Sequence, residues 1–131
     1  MNVDPPAELR AAIVAQNNIS ALTGTRVYAQ RDTPPPGYTP EKGRAICFKT
    51  RPLGEIDEEG QTITQSFQIK FYGKTETEAY DLYRTFFGGV NYFKNYRILM
   101  IFQETPGQAL FERDTQWIFV QSFFMARFLN I

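Results

Sequence analysis

The side chains able to do covalent or metal chemistry are few in this sequence, and their neighbours say what they do. There is no histidine, which removes the commonest general base and metal ligand together. The single cysteine, Cys47, stands between Ile46 and Phe48 and reads as a core thiol, not a nucleophile. One cysteine excludes an intramolecular disulfide and fits intracellular synthesis. Carboxylates cluster once, in Glu55-Ile56-Asp57-Glu58-Glu59. They could chelate a hard cation, but they lack the spaced ligands and central glycine of a calcium loop. A solvated tip is expected instead, with Ile56 alone among the charges.

Two motifs come close and fail. Gly73-Lys74-Thr75 lies between a strand and a helix, where a phosphate-binding loop would end. That loop needs a glycine five residues before Gly73, and the residue there is Gln68. Lys42-Gly43-Arg44-Ala45-Ile46-Cys47-Phe48-Lys49 echoes an RNA-recognition signature, but Arg44, Ile46 and Lys49 stand where base-stacking rings belong. Lys94 and Arg97 with Tyr92, Phe93 and Tyr96 form the one mixed basic and aromatic cluster, which suits a nucleic-acid surface, a strand edge or a subunit contact. The expectation is therefore a protein that is not an enzyme, with no cofactor, no metal and no small-molecule substrate.

The elements that carry these residues follow from periodicity. From Thr62 to Lys70 the chain alternates: Ile63, Phe67, Ile69 and Phe71 face one way with Gln65, and Thr62, Thr64, Ser66, Gln68 and Lys70 face the other. Gly73 ends this strand. Thr75-Glu76-Thr77-Glu78 then reads as a capping box. Ala79, Leu82, Tyr83 and Phe86 make an apolar stripe along the helix, which Gly88-Gly89 is expected to stop. Upstream, Asp4 caps a helix that opens with Pro5 and buries Leu9, Ala12 and Ile13. Asn17-Asn18 ends it, and Arg26 to Gln30 is a short strand. Ala45 to Thr50 is a second strand, followed by a long acidic turn.

Further strands are expected at Tyr96–Glu104, closed by a turn at Thr105-Pro106-Gly107, and at about Gln116–Leu129. The last is apolar on both sides: Trp117, Phe119, Phe123 and Met125 on one, Ile118, Val120, Phe124 and Phe128 on the other. A strand apolar on both faces needs cover on both. Helices cover one; the other is left for a second chain or for the proline-rich segment, and a second chain is the expectation.

The fold class is thus α+β: a mostly antiparallel sheet of about five strands with two helices on one face, in the order α-β-β-β-α-β-β. The 131 residues read as a single domain over 1–131, with an extended proline-rich loop at about 31–43 and an acidic hairpin loop at about 53–60. The 14 basic and 14 acidic residues cancel, so no global charge points to a nucleic acid, and self-association is left open. No apolar run is long enough for a membrane span, and no signal peptide is expected at the N-terminus.

Several phrases together resemble a known family. The opening helix with Leu9, Ala12 and Ile13 leads to Leu22-Thr23-Gly24-Thr25-Arg26-Val27-Tyr28. A proline-bearing stretch precedes Ala45 to Thr50. Phe67-Gln68-Ile69-Lys70-Phe71-Tyr72-Gly73 runs at once into the helix Glu76 to Phe87, and a late strand opens with Trp117. In this order of elements the chain resembles the tail-terminator (tail-completion) proteins of tailed bacteriophages.

That resemblance implies a structural virion protein, made in the host cytoplasm and located in the tail or neck. It implies a homo-oligomeric ring, commonly hexameric, that caps the tail-tube protein and meets the head-side connector or stopper, with DNA passing through the lumen without specific binding. On this reading Trp117, Phe119, Phe123 and Met125 pack between subunits. Glu55, Ile56, Asp57, Glu58 and Glu59 face the lumen or dock on a partner. Another neck or head-tail adaptor protein, or a monomeric adaptor or nucleic-acid-binding domain, is the alternative.

Overall fold

Asp4 and Thr75 start helices as their sequence contexts require. The computed structural model describes residues 3–56 and 60–130. In it the Asp4 side chain accepts from Ala7 N at the start of α1 (Pro5–Val14), whose Leu9, Ala12 and Ile13 are buried. Thr75 Oγ1 accepts from Glu78 N at the start of α3 (Glu76–Val90), and the Glu78 carboxylate accepts in return from Lys74 N. Asn17-Asn18, expected only to end the first helix, also opens a second between these two: α2 (Asn17–Thr23), with Ile19 and Thr23 buried, ended by Gly24 at φ 58°.

Gly88-Gly89 does not stop α3, which continues to Val90 with neither glycine at positive φ. At position 89 a Cβ would lie 3.2 Å from Gln16 Oε1, a tight contact that a small shift of the Gln16 side chain would relieve.

Five strands form one sheet in the order β1-β2-β3-β5-β4: β1 (Val27–Ala29), β2 (Ala45–Ile56), β3 (Thr62–Gly73), β4 (Ile98–Phe111) and β5 (Ile118–Leu129). Only β1 and β2 are parallel. The mostly antiparallel α+β architecture agrees with the sequence reading, but two strands run further than expected. β2 passes a register shift between Thr50 and Gly54 and stays paired to Ile56. β4 runs through Thr105-Pro106-Gly107, where a turn was expected, absorbing the proline in two register shifts. That is possible because β4 is an edge strand, whose outward side has no ladder to interrupt.

The helices cover one face. Ile46, Phe48, Phe67, Ile69, Phe71, Val120, Phe124 and Phe128 from the sheet pack there against Leu82, Phe86 and Ile13. Phe86 makes edge-to-face contacts with Phe71 and Phe124 at 5.0 and 5.1 Å between centroids, a favoured ring geometry.

The opposite face is covered in part, for a topological reason. Two parallel neighbours need a connection that crosses the sheet. Here residues 30–44 make that crossing over the face away from the helices, ending in a 3-10 turn at Pro40–Lys42. The proline-rich segment is thus a strap across the sheet, with Pro34, Tyr38 and Pro40 buried.

Candidate assembly surface

Strand alternation sends Ser66, Gln68, Lys70 and Tyr72 of β3, and Phe119, Gln121, Phe123, Met125 and Arg127 of β5, to the face away from the helices. Register aligns them in rows: Tyr72 beside Phe119 beside Leu110, Lys70 beside Gln121 beside Gln108, and Ser66 beside Met125 beside Phe102. The strap divides this face into two halves.

The closed half is aromatic. Tyr38 of the strap stands edge-on to Trp117 at 5.5 Å and to Tyr72 at 6.4 Å, and Tyr72 stacks tilted on Phe119 at 5.4 Å. Ala45 and Cys47 close the cluster. The Tyr38 hydroxyl donates to Gly43 O at 2.7 Å, and the Tyr72 hydroxyl donates to Glu112. Burial pushes both phenols above their ordinary range, and for Tyr72 the bond it donates adds to the effect. Burial also pushes the Cys47 thiol up to about 12, so it is held as an inert core thiol.

At the inner boundary of this half lies a charge network. Lys70 Nζ, on a side chain only 9% exposed, sits 3.3 Å from Asp32 and 3.9 Å from Glu112, and 4.8 Å from the centre of the Phe119 ring. Asp32 also meets Lys49 at 3.2 Å and accepts from Gln68. Burial alone would raise the Asp32 pKa. The Lys49 bond and the Lys70 charge outweigh it, so the carboxyl sits below its usual range. The network latches the strap to β2 and β3.

The open half has no strap. Phe123 and Met125 are half-buried, and Phe102 and Met100 beside them are 36% and 48% exposed. The Arg51 guanidinium lies over the Phe123 ring at 4.2 Å and 3.9 Å from Glu104, which accepts from Ser66 Oγ at 2.6 Å. Arg127 is exposed and has no ion pair among the described residues. Polar Gln121 separates the two halves.

The four residues read from sequence as one contact stripe therefore share a face but not an environment. Trp117 and Phe119 lie under the strap, and Phe123 and Met125 lie outside it. Glu55 and Ile56 are exposed at the far end of β2, Ile56 by 64%. Asp57, Glu58 and Glu59 fall outside the described residues. Sequence reasoning missed Tyr38 and the Asp32–Lys70–Glu112 network. An isolated tyrosine inside a proline run, and a lysine on a strand that must cross beneath it, were the available signals.

No helix among the described residues is long and apolar enough to cross a membrane, and those residues contain no group of three or more Cys, Asp or Glu placed to hold a metal ion. The fold defines an α+β sheet protein with helices on one face and a strap on the other. No family model and no curated protein matches the sequence. Among solved structures, a chain from the virion of a native gene transfer agent particle has the same fold, with a TM-score of 0.68 and 19% identity. The match covers 97% of this chain and 99% of that one.

Proposed function

We propose that this chain is a structural virion protein of a tailed, phage-like particle, and that it works as a ring subunit at the end of the tail tube, against the head-side connector. The observation that carries the reading is the end-to-end likeness to a virion chain, with 97% and 99% of the two chains covered. The tail-terminator resemblance in the sequence points the same way.

A subunit of this kind needs surface that a partner can bury, and the open half offers it. Phe123, Met125, Phe102 and Met100 form a partly exposed apolar strip, fringed by Arg51 and Arg127, of the kind partners cover. In a ring, one patch of each subunit meets a different patch of the next. Phe123 and Met125 are assigned to that contact. Trp117 and Phe119 support it from beneath the strap. Glu55 and Ile56, exposed at the far end of β2, are assigned to the lumen or to a partner.

The test is mass in solution, by light scattering after size exclusion over a concentration range, with negative-stain images of any large species. Rings of about six subunits, lost in Phe123→Asp, are expected. A monomer at every concentration, with and without tail-tube protein, would overturn the ring. Salt-dependent binding to DNA by that monomer would favour an adaptor that binds nucleic acid through Lys94 and Arg97.

A further inference from the structure

A ring restricts which surfaces of its subunits can meet. One face of a sheet meets the same face of another copy only across a two-fold axis, which closes a pair and nothing larger. In a ring of about six, the two patches that meet face directions roughly 120° apart on each subunit. The open half looks out from the strap side of the sheet, so its counterpart lies on a flank, turned toward the helix side. Two corners of the molecule meet that condition, one formed by β1 with α1 and α2, the other by β4 with α3.

Exposure decides between them. Apart from Ile56, the large hydrophobic residues exposed among the described residues all lie on α3, on β4 or on the segment joining them. Phe87 of α3 is 38% exposed, and Tyr92 and Tyr96 of the joining segment are each 74% exposed. The Tyr83 ring lies 6.4 Å from that of Phe87, and its hydroxyl accepts from Gly107 N of β4 at 3.0 Å, so Phe87 stands on the β4 side of its helix. Tyr92 N donates to Ile101 O at 2.7 Å, and Asn95 Oδ1 accepts from Ile98 N at 2.7 Å. These bonds tie the joining segment along the outer edge of β4 and leave its side chains to make any contact.

Height along the strands agrees. Both patches face across the strands, so the ring axis runs along them, and closure without rise needs the two patches level. Met125 pairs with Phe102 and Arg127 with Met100, and the joining segment is tied to β4 at Ile98 and Ile101, the same level. Phe111, the other ring exposed on β4, pairs with Ile118 at the far end. Charge agrees too. Glu55 shares the open face through the row Glu55, Thr64, Arg127. Glu55 and Lys94 are both exposed, and neither has an ion pair among the described residues.

We infer that the open half of one copy, through Phe123, Met125 and Phe102, docks on the Phe87–Tyr92–Tyr96 corner of the next, with Glu55 set against Lys94. The inference rests on the ring reading and names the surface that meets the Phe123 and Met125 face in it. Tyrosine brings large contact area and a polar tip to such a seat, and its ring offers Arg127 a face for a cation.

Disulfide trapping with the full chain tests it. Met125 and Phe87 lie on opposite sides of the sheet, so Met125→Cys/Phe87→Cys cannot close within one chain. Glu55→Cys/Lys94→Cys changes only exposed side chains. Within one chain those positions are at least three strand spacings apart, roughly 14 Å, again too far to bridge. The expected result on oxidation is a ladder of covalent multimers that ends at the ring number and collapses on reduction. The second pair should give it even where the first weakens the contact by removing two of its side chains. Each single variant should stop at a dimer, and the control Met125→Cys/Phe111→Cys should give no ladder. Rings in which neither pair gives a ladder would overturn this contact and leave the ring standing. An equal ladder from the control would overturn it as well. A chain that never oligomerises, alone or with tail-tube protein, would overturn both.

Discussion

The two halves of the strapped face are built on the same strands, yet they serve different ends. In the closed half, Phe119 and Tyr72 are 5% and 0% exposed because Tyr38 and Trp117 roof them. In the open half, Phe123 and Met125 stand on the same side of the same strand, beyond the Gln121 row, half-buried, with the Arg51 guanidinium over the Phe123 ring. A side chain's direction along a strand decides which face it joins, but not whether that face is covered. Cover comes from the connection between β1 and β2, and that connection ends half way.

The sharpest way to break this comparison is one truncation in each half. Phe119→Ala empties a packed site and is expected to cost about 3–4 kcal/mol of stability. Phe123→Ala removes a half-buried ring and is expected to cost about 1 kcal/mol. Chemical denaturation of the two variants measures both. Oligomer mass should rank them the other way, with Phe123→Ala weakening assembly more per unit of stability lost. If the two variants lose stability equally, the strap does not distinguish the halves.

Part of this was legible in the sequence. The faces of β3 and β5 follow from strict alternation, and the caps at Asp4 and Thr75 follow from local hydrogen bonding; both are properties of a few neighbouring residues. What was not legible depends on distant partners. Thr105-Pro106-Gly107 carries every local mark of a turn, but β5 holds it in the sheet and α3 needs its glycine. A Cβ on Gly107 would lie 2.8 Å from the Tyr83 ring and from Val120. Gly88-Gly89 looks like a stop, but α3 runs through it to Val90, a residue buried against the core. The proline run looks like a stiff connector, and it is one. That it crosses the sheet follows only from the parallel pairing of β1 with β2, which periodicity cannot show.

A second, smaller effect probes the latch between the halves. Lys70→Met removes the cation that Asp32 and Glu112 share, while Asp32 keeps its pair with Lys49. Asp32 can turn to water, its side chain being 58% exposed, and Glu112 keeps the Tyr72 hydroxyl. The expected cost is therefore about 1–2 kcal/mol, less than for a fully buried pair that loses a partner. Because Trp117 is the only tryptophan and Tyr38 stands against it, its emission should shift to the red if the strap loosens. Unfolding midpoint and emission together separate a loosened strap from a general loss of stability. An unshifted emission spectrum would mean that Tyr38 and its neighbours hold the strap without the latch.

The smallest effect is a matter of pH. The Asp32 carboxyl is held below its unperturbed value of 3.8 in the folded chain, because the Lys49 bond and the Lys70 charge outweigh the opposing effect of burial. A group whose folded pKa is depressed contributes stability that is fully present above its unfolded pKa and is lost as pH falls through the folded one. The Asp32 contribution is thus constant from neutral pH down to about 4 and disappears below that. Asp32→Asn should lower stability at neutral pH by a few tenths of a kcal/mol, since the partly exposed ion pairs are screened by water. The gap between variant and parent should close as the pH drops below that range. Other carboxylates titrate in the same window, so the difference between the two chains is the quantity to follow. A gap that stays constant down to pH 2 would mean that Asp32 holds the strap through its shape and hydrogen bonds rather than its charge.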